Sequence, residues 1–177
     1  MTRLTPPVMF YLEHQDRIDE WAALRKVARG RAHTFFSRLA EPLDARRVDL
    51  PGAPFLHKSL AEGCPKLFLA LPKWLSADGE NLRTAIGLEW YKNDTDFRSS
   101  YSGAWVDLRL DGSAELTTLV RQRLEPLVAG RSYKHSRWWP AHRTEPPTRE
   151  DYWLDLEGFG TELVDRICDR WHLMYEA

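Results

Sequence analysis

Hydrophobic residues recur at intervals of three and four near the start of the chain. After Pro6 and Pro7, this spacing predicts one long amphipathic helix with a potential break near Gly30. We expect its apolar stripe, including Trp21, to pack against the rest of the protein. The stripe consists of Tyr11, Ile18, Trp21, Leu24, Ala28, Ala32, Phe35 and Leu39.

The middle of the chain has a different pattern. Residues 41–65 contain four prolines and two glycines, a density typical of a connecting loop. The segments 66–71, 83–92 and 103–110 that follow have strand length and are aliphatic, aromatic or alternating. Three strands in succession predict an antiparallel meander.

Helical spacing returns after Asp111. Leucines from 116 to 127 form a stripe, with Ser113 as the expected cap and Gly130 just beyond the end. The basic, aromatic stretch 131–139 is interpreted as a fourth strand that ends at Pro140. In the tail, 148–177, a capping box at Thr148 and the glycines at 158 and 160 predict two helices.

This order of elements defines the expected fold. Helices before and after a run of strands indicate an α+β domain with an antiparallel sheet of three to four strands, in the order α-β-β-β-α-β-α. A length of 177 residues suits one domain. Its expected parts are a helical front layer (1–40), a sheet with an inserted helix (66–138) and carboxy-terminal helices (148–177).

Composition restricts the function classes. No apolar run approaches the roughly 20 residues of a membrane helix, and the first residues lack the pattern of an export signal. We therefore expect a cytoplasmic protein without membrane contact, in which Cys64 and Cys168 are reduced thiols. The sequence has no phosphate-binding glycine loop and no zinc-ligand spacing, so no cofactor is expected.

The second and third strands carry the candidate chemistry. Alternation places Ile86, Leu88 and Trp90 on the core face. The opposite face then carries polar and aromatic side chains, namely Glu89, Tyr91, Trp105, Asp107 and Arg109. A register with Glu89 across from Arg109 is favoured over one with Glu89 across from Asp107, because like charges oppose pairing.

Glu89, together with Asp107 and Arg109 on the next strand, resembles the site of the PD-(D/E)XK nuclease superfamily. That resemblance implies catalysis by these three residues, with Mg²⁺ or Mn²⁺ held by Glu89 and Asp107. Two features differ from the family pattern: no proline precedes Glu89, and arginine occupies the position of the lysine. Arginine holds its charge in a planar fork and does not substitute simply for an ammonium group.

A second candidate surface lies in the stretch 131–143, which has four basic residues and no acidic one. Aromatic rings that alternate with cations can stack on bases of single-stranded nucleic acid or anchor a protein partner. Alternatively, the adjacent tryptophans on a strand face opposite ways, one into the core. The candidate binding residues of this stretch are Tyr133, Lys134, Arg137, Trp138, Trp139 and Arg143.

Eight tryptophans without a complete catalytic set favour binding over catalysis. The leading hypothesis is a non-catalytic interaction module that docks a protein partner around Tyr91, Trp105, Arg137, Trp138 and Trp139. A small inhibitor, immunity protein or defence-system accessory of bacterial type fits this description, and a homo-oligomer is compatible with it. The alternatives are a metal-dependent nuclease or a degenerate relative of one, and a single-stranded nucleic-acid-binding protein.

Overall fold

The computed structural model describes residues 4–60, 63–90, 100–145 and 155–177. Helices precede, interrupt and follow a five-stranded sheet, which confirms the α+β class. The helices are α1 (Pro6–Glu13), α2 (Gln15–Arg38), α3 (Ala40–Arg47), α4 (Ser113–Val128) and α5 (Leu156–Met174). The strands are β1 (Phe55–Ser59), β2 (Lys66–Ala70), β3 (Thr84–Glu89), β4 (Tyr101–Val106) and β5 (Ala141–Thr144).

The sheet is antiparallel throughout and keeps the strands in chain order. The predicted meander is therefore present as β2, β3 and β4. β1 extends it at one edge, and β5 extends it at the other after the excursion through α4. One row across the sheet joins Phe68, Gly87, Gly103 and His142, each opposite the next.

The main core lies between the sheet and α5. Ile86, Leu88 and Trp90 are buried on this face, as their alternation predicts. The stripe of α5 that faces them includes Ile167 and Trp171, both fully buried. The Trp171 indole Nε1 donates a hydrogen bond to the Pro51 carbonyl at 2.9 Å, which satisfies its polar atom inside the core.

The other face of the sheet carries a smaller aromatic core that is covered by loops. A 3₁₀ turn at Pro72–Trp74 and the segment 134–140 lie beside it. Its buried members are Phe68, Ala70, Leu82, Ala85, Trp105 and Trp139. Because loops cover this face incompletely, it can hold a cleft.

Residues 41–65 are more structured than expected. The loop prediction is wrong here, because α3 and β1 both fall in this segment. Pro42 is the third residue of α3, where the backbone N–H of the first turn needs no partner within the helix. β1 is an edge strand with Pro54 just before it, so the prolines border the elements and do not interrupt them.

Two other boundaries differ from expectation. The strand predicted at 131–139 is found instead after Pro140, as β5 (Ala141–Thr144). Within 131–139, Lys134 forms only an isolated bridge to His142. Gly158 and Gly160 lie within the first turns of α5 and do not divide it, and the helix predicted before them lies outside the described residues. The Asp155 carboxylate accepts a hydrogen bond from the Gly158 N–H at 2.8 Å and caps this helix. The predicted capping box at Thr148 lies outside the described residues.

A buried ion network ties the end of β5 to α5. The Glu145 carboxylate accepts hydrogen bonds from Ser102 Oγ at 2.8 Å, from Arg166 Nη1 at 2.8 Å and from Arg170 Nη2. Glu145 and Arg170 are both buried. Removal of one partner would leave a charge buried without its counter-ion, so we expect the network to fix how α5 sits on the sheet.

The first helices project from this core. Phe36, near the end of α2, is buried, whereas most of the large apolar residues earlier in α1 and α2 are exposed and Ile18 is half-buried. Trp21 is 65% exposed, so the prediction that it packs against the rest of the protein is wrong. Helical periodicity identifies an apolar stripe but not what covers it.

Candidate binding cleft

An open cleft of about 510 Å³ lies on the loop-covered face of the sheet. It draws its lining from β2, β3, β4, β5 and the segments beside them. The lining residues are Gly63, Cys64, Lys66, Glu89, Tyr101, Trp105, Arg109, Ser136, Trp138, Trp139 and His142. Five of them, Glu89, Arg109, Trp105, Trp138 and Trp139, are sequence-predicted candidates for a site.

A stack of rings forms one wall of the cleft. Trp138 stacks on Trp105 with ring centroids 6.5 Å apart and planes at 18°. Trp105 in turn contacts Phe68 at 4.9 Å. The Lys66 Nζ lies 5.1 Å from the Trp105 ring centroid, within the range of a cation–π contact. Because Trp105 is buried and held from several sides, it supports the outer ring in one orientation.

The adjacent tryptophans face opposite ways. Trp139 is buried against Phe68 and Tyr101, whereas Trp138 remains 39% exposed. Two backbone hydrogen bonds hold the segment 136–139: Ser136 N–H donates to the Trp139 carbonyl at 2.8 Å, and Val106 N–H donates to the Trp138 carbonyl at 3.0 Å. Trp138 is therefore a fixed aromatic side chain at the rim.

Two glycines leave the middle of the sheet without side chains beneath these rings. Gly87 and Gly103 lie opposite each other on β3 and β4. A Cβ on Gly87 would lie 2.9 Å from the Phe68 ring, and a Cβ on Gly103, which has φ of +148°, would lie 2.1 Å from the Ala141 carbonyl oxygen. Only glycine lets the ring of Phe68 and the strand β5 approach this closely.

Charged groups border the aromatic wall. Lys66 on β2 lies directly opposite Glu89 on β3, and the Glu89 side chain is buried. Opposite charges in facing positions support strand pairing. Lys66 and Arg109 bring two cations to the cleft and Glu89 one carboxylate, which gives its lining an excess of positive charge.

Asp107 and Arg109 form a compact pair where β4 ends. Asp107 Oδ1 accepts hydrogen bonds from the Arg109 backbone N–H at 3.0 Å and from Nε at 2.9 Å, and Oδ2 accepts from Nη2 at 2.6 Å. Burial alone would raise the pKa of Asp107, but these bonds and the charges of Arg109 and Lys66 outweigh it and lower the pKa. The Arg109 side chain is 68% exposed, so the pair lies at the surface of the protein.

The strand register differs from the favoured one. Glu89 lies opposite Tyr101 and not opposite Arg109 or Asp107, because β4 ends at Val106 and the chain turns. Asp107 N–H instead donates to the Arg83 carbonyl at the far end of β3. Charge pairing predicted a longer strand, but the Asp107–Arg109 pair forms within a turn.

This register determines how far apart the backbones of Glu89 and Asp107 lie, the two residues expected to hold a metal ion. Six residues of extended strand, about 20 Å of backbone, separate Glu89 from Arg83, whose carbonyl accepts the hydrogen bond from the Asp107 N–H. A divalent cation bonds its oxygen ligands at about 2.0–2.6 Å, so two carboxylates must converge to share it. Within the described ranges, no group of three or more His, Cys, Asp and Glu side chains is arranged to hold a metal ion.

His142 lines the cleft beside the predicted residues. Its burial lowers the pKa, as do the charges of Lys134 and His135, against the opposing effect of a hydrogen bond with the Trp139 backbone. The ring therefore favours the neutral form at pH 7. Its Nδ1 is buried without a hydrogen-bond partner among the residues that the structure describes.

The other predicted binding residues are distributed around the cleft or away from it. Lys134, bridged to His142, and Arg137 are exposed near the rim. Tyr133 and Arg143 contact each other at 5.0 Å, and Arg143 lies opposite Ser102, on the helix-covered side of the sheet. Tyr91 lies outside the described residues.

Sequence reasoning did not single out Lys66, Tyr101, Cys64 or His142 as site residues. Tyr101 could have been found, because Tyr101, Gly103 and Trp105 alternate along one strand and must share a face. Lys66 and His142 enter the site through pairing with strands that are distant in the chain, and no local pattern shows that pairing.

Neither the protein-family models, nor the curated proteins, nor the solved structures to which the chain was compared give a match. None of the helices in the described part of the chain has both the length and the apolarity to cross a bilayer.

Proposed function

We propose that this protein is a non-catalytic cytoplasmic interaction module that binds a protein partner through the cleft. Trp138 is the anchor residue. The observation that carries the proposal is its environment: an exposed ring that is stacked on a buried one at the rim of a cleft. Rigid tryptophans at the edge of well-packed pockets are the side chains that most often dominate the affinity of protein interfaces.

The charges around the cleft indicate the kind of partner. Lys66 and Arg109 line it, and Lys134 and Arg137 are exposed near it. A partner with an acidic surface and one apolar or aromatic side chain complements this arrangement, because the apolar group fills the cleft while carboxylates meet the rim cations. An inhibitor, immunity protein or defence-system accessory would act through such a surface.

The geometry favours a protein over single-stranded nucleic acid. A nucleic-acid platform presents several exposed rings in a row along a basic groove. Here Trp105 and Trp139 are buried, and Tyr133 lies on the other side of the sheet with Arg143. Among the residues described, Trp138 is the exposed tryptophan at this rim, and Tyr101 lines the cleft as a half-buried ring.

Affinity capture from the source cells tests the proposal, with wild type, Trp138→Ala and Leu119→Ala as baits. Leu119 is an exposed apolar residue on α4 and serves as the matched control. We expect one acidic protein to be retained by wild type and Leu119→Ala and to be lost with Trp138→Ala. Equal retention by all three baits would refute the role of Trp138.

A second assay tests the two alternative functions, single-stranded nucleic-acid binding and metal-dependent nuclease activity. A fluorescent single-stranded oligonucleotide is titrated with the protein at low and high salt, and its integrity is checked with Mg²⁺ or Mn²⁺ present. We expect neither tight binding nor cleavage. Binding that falls steeply with salt would support the nucleic-acid alternative, and metal-dependent cleavage lost in Asp107→Asn would support the nuclease.

A further inference from the structure

A groove of about 1090 Å³ lies between α2, α3 and α5, on the helix-covered side of the sheet and thus on the face opposite the candidate cleft. It follows α2 from Val27 to Arg38, about 16 Å of helix, and α5 from Leu156 to Asp165, about 14 Å. A groove of this length between helices has the form of the sites that bind a partner helix. Its apolar lining includes Val27, Phe35, Leu39, Pro42, Leu156 and Val164.

The α2 wall of this groove combines apolar and cationic side chains on one helix face. Val27, Arg31, Phe35 and Arg38 follow one another at intervals of four, four and three residues, the spacing of side chains that share a face. All four line the groove. An occupant that packs on the apolar side chains of this wall therefore lies beside both arginines.

The arginines of this wall are unpaired within the part of the chain that the structure describes. Neither the ion pairs nor the hydrogen bonds of the described residues involve the side chain of Arg31 or Arg38, and both residues are exposed. Arg46, on the α3 wall, is ion-paired with Asp165 at 2.9 Å. Glu157 lies in the first turn of α5, where a negative charge is favourable for the helix. The remaining positive charge thus lies on α2, and carboxylates of an occupant beside α2 complement it.

The spacing of the two arginines indicates the shape of the occupant. Arg31 and Arg38 are seven residues apart, which is two turns or about 10 Å along α2. A fatty acid in the groove has one charged end and reaches only one of them. A helix that packs along α2 at about 20° stays level with it over this distance, so carboxylates seven positions apart reach both arginines.

Gly30 leaves room for such a helix on the α2 wall. It lies in the interior of α2, where glycine destabilises a helix relative to alanine. A Cβ at this position would meet no atom within 4 Å, so packing within the described chain does not require glycine here. The missing side chain lets the backbone of a partner approach α2 closely.

We propose that this groove binds an amphipathic helix of a partner protein. Apolar residues at positions i, i+3, i+4 and i+7 of that helix pack on the groove floor, and two carboxylates seven positions apart pair with Arg31 and Arg38. The groove and the cleft beside Trp138 lie on opposite faces of the sheet, so each can be occupied without the other.

Selection from a displayed peptide library tests the chemistry of the occupant. The library consists of helical peptides with a fixed leucine stripe and random residues on both flanks, and the purified full chain is the target. Peptides that bind wild type but not Gly30→Leu occupy the groove, because the leucine side chain narrows it. This variant should keep the circular dichroism spectrum of wild type, since leucine is a better helix former than glycine. We expect the selected peptides to be enriched in Asp or Glu at two positions seven residues apart, and absence of this enrichment would overturn the proposal.

Charge reversal tests the two arginines with one selected acidic peptide. Fluorescence anisotropy should show that Arg31→Glu/Arg38→Glu binds it at least about tenfold more weakly than wild type, since two attractions become two repulsions. A peptide with lysines in place of the two carboxylates should bind this variant better than wild type. Lys73→Glu/Arg131→Glu is the matched control and should bind the acidic peptide like wild type, because both exposed cations lie outside the groove.

Three further results would overturn the proposal: equal affinity of Arg31→Glu/Arg38→Glu and wild type for the acidic peptide; uptake of a fluorescent fatty acid that Gly30→Leu abolishes, by a chain that selects no peptide; and a wild-type dimer that Gly30→Leu dissociates, which assigns the groove to a second copy. Trp138→Ala should bind the acidic peptide like wild type, so failure at the groove and failure at the cleft are separate readouts.

Discussion

Substitution Glu145→Gln should be among the most destabilising single changes in this fold. It removes the charge that faces Arg166 and Arg170 but keeps the size of the side chain. Arg170 is buried, and its Nε and Nη1 already have no hydrogen-bond partner among the described residues. Breaking a buried ion pair by removal of one partner costs about 3–5 kcal/mol, and the amide oxygen still accepts one bond, so we expect about 3 kcal/mol.

Urea denaturation followed by tryptophan fluorescence measures this free energy of unfolding. Glu162→Gln is the matched control, because Glu162 pairs with the same Arg166 but is exposed. An exposed pair of this spacing contributes about 0.3–0.5 kcal/mol. If the two variants lose the same small amount of stability, the assignment of Glu145 as the residue that holds α5 on the sheet is refuted.

Three further results follow from the geometry. Gly103→Ala should lower stability by several kcal/mol or prevent folding, because its Cβ would lie 2.1 Å from the Ala141 carbonyl oxygen and its φ is positive; unchanged urea unfolding would contradict this. Stability should fall as pH drops below the ordinary histidine value of 6.5, because the pKa of His142 is lowered in the fold and the unfolded chain takes up the proton first; His142→Asn should flatten this dependence, and an equally steep profile in that variant would refute it. Trp105→Ala should cost about 3–5 kcal/mol, whereas Trp138→Ala should cost clearly less, because Trp105 is buried and Trp138 is partly exposed; equal losses in the same urea assay would contradict this difference.

The sheet is the part of the fold that the sequence predicts best. Ile86, Leu88 and Trp90 are buried on one face and Trp105 on the other, as alternation requires. Strand ends were less predictable. β4 stops at Val106, and Asp107 accepts hydrogen bonds from Arg109 within the turn that follows. Such local side-chain bonds compete with strand pairing, and the register argument considered only the cross-strand charge pair.

The candidate cleft was predictable only in part. Alternation places Glu89 and Trp105 on the loop-covered face, and the opposite orientation of Trp138 and Trp139 follows from their adjacency. Lys66 and His142 join the site through strand pairing across the sheet, which no local pattern encodes. Trp21 illustrates the converse: periodicity identifies its stripe, but Trp21 itself is exposed and is not part of the core.

The most direct test of the central claim is the affinity of the purified acidic partner for Trp138→Ala. Titration calorimetry should show binding at least about 30-fold weaker than for wild type, which corresponds to the roughly 2 kcal/mol that defines an anchor residue. Leu119→Ala should bind like wild type. Equal affinity of Trp138→Ala and wild type would contradict the claim that the partner binds at this cleft.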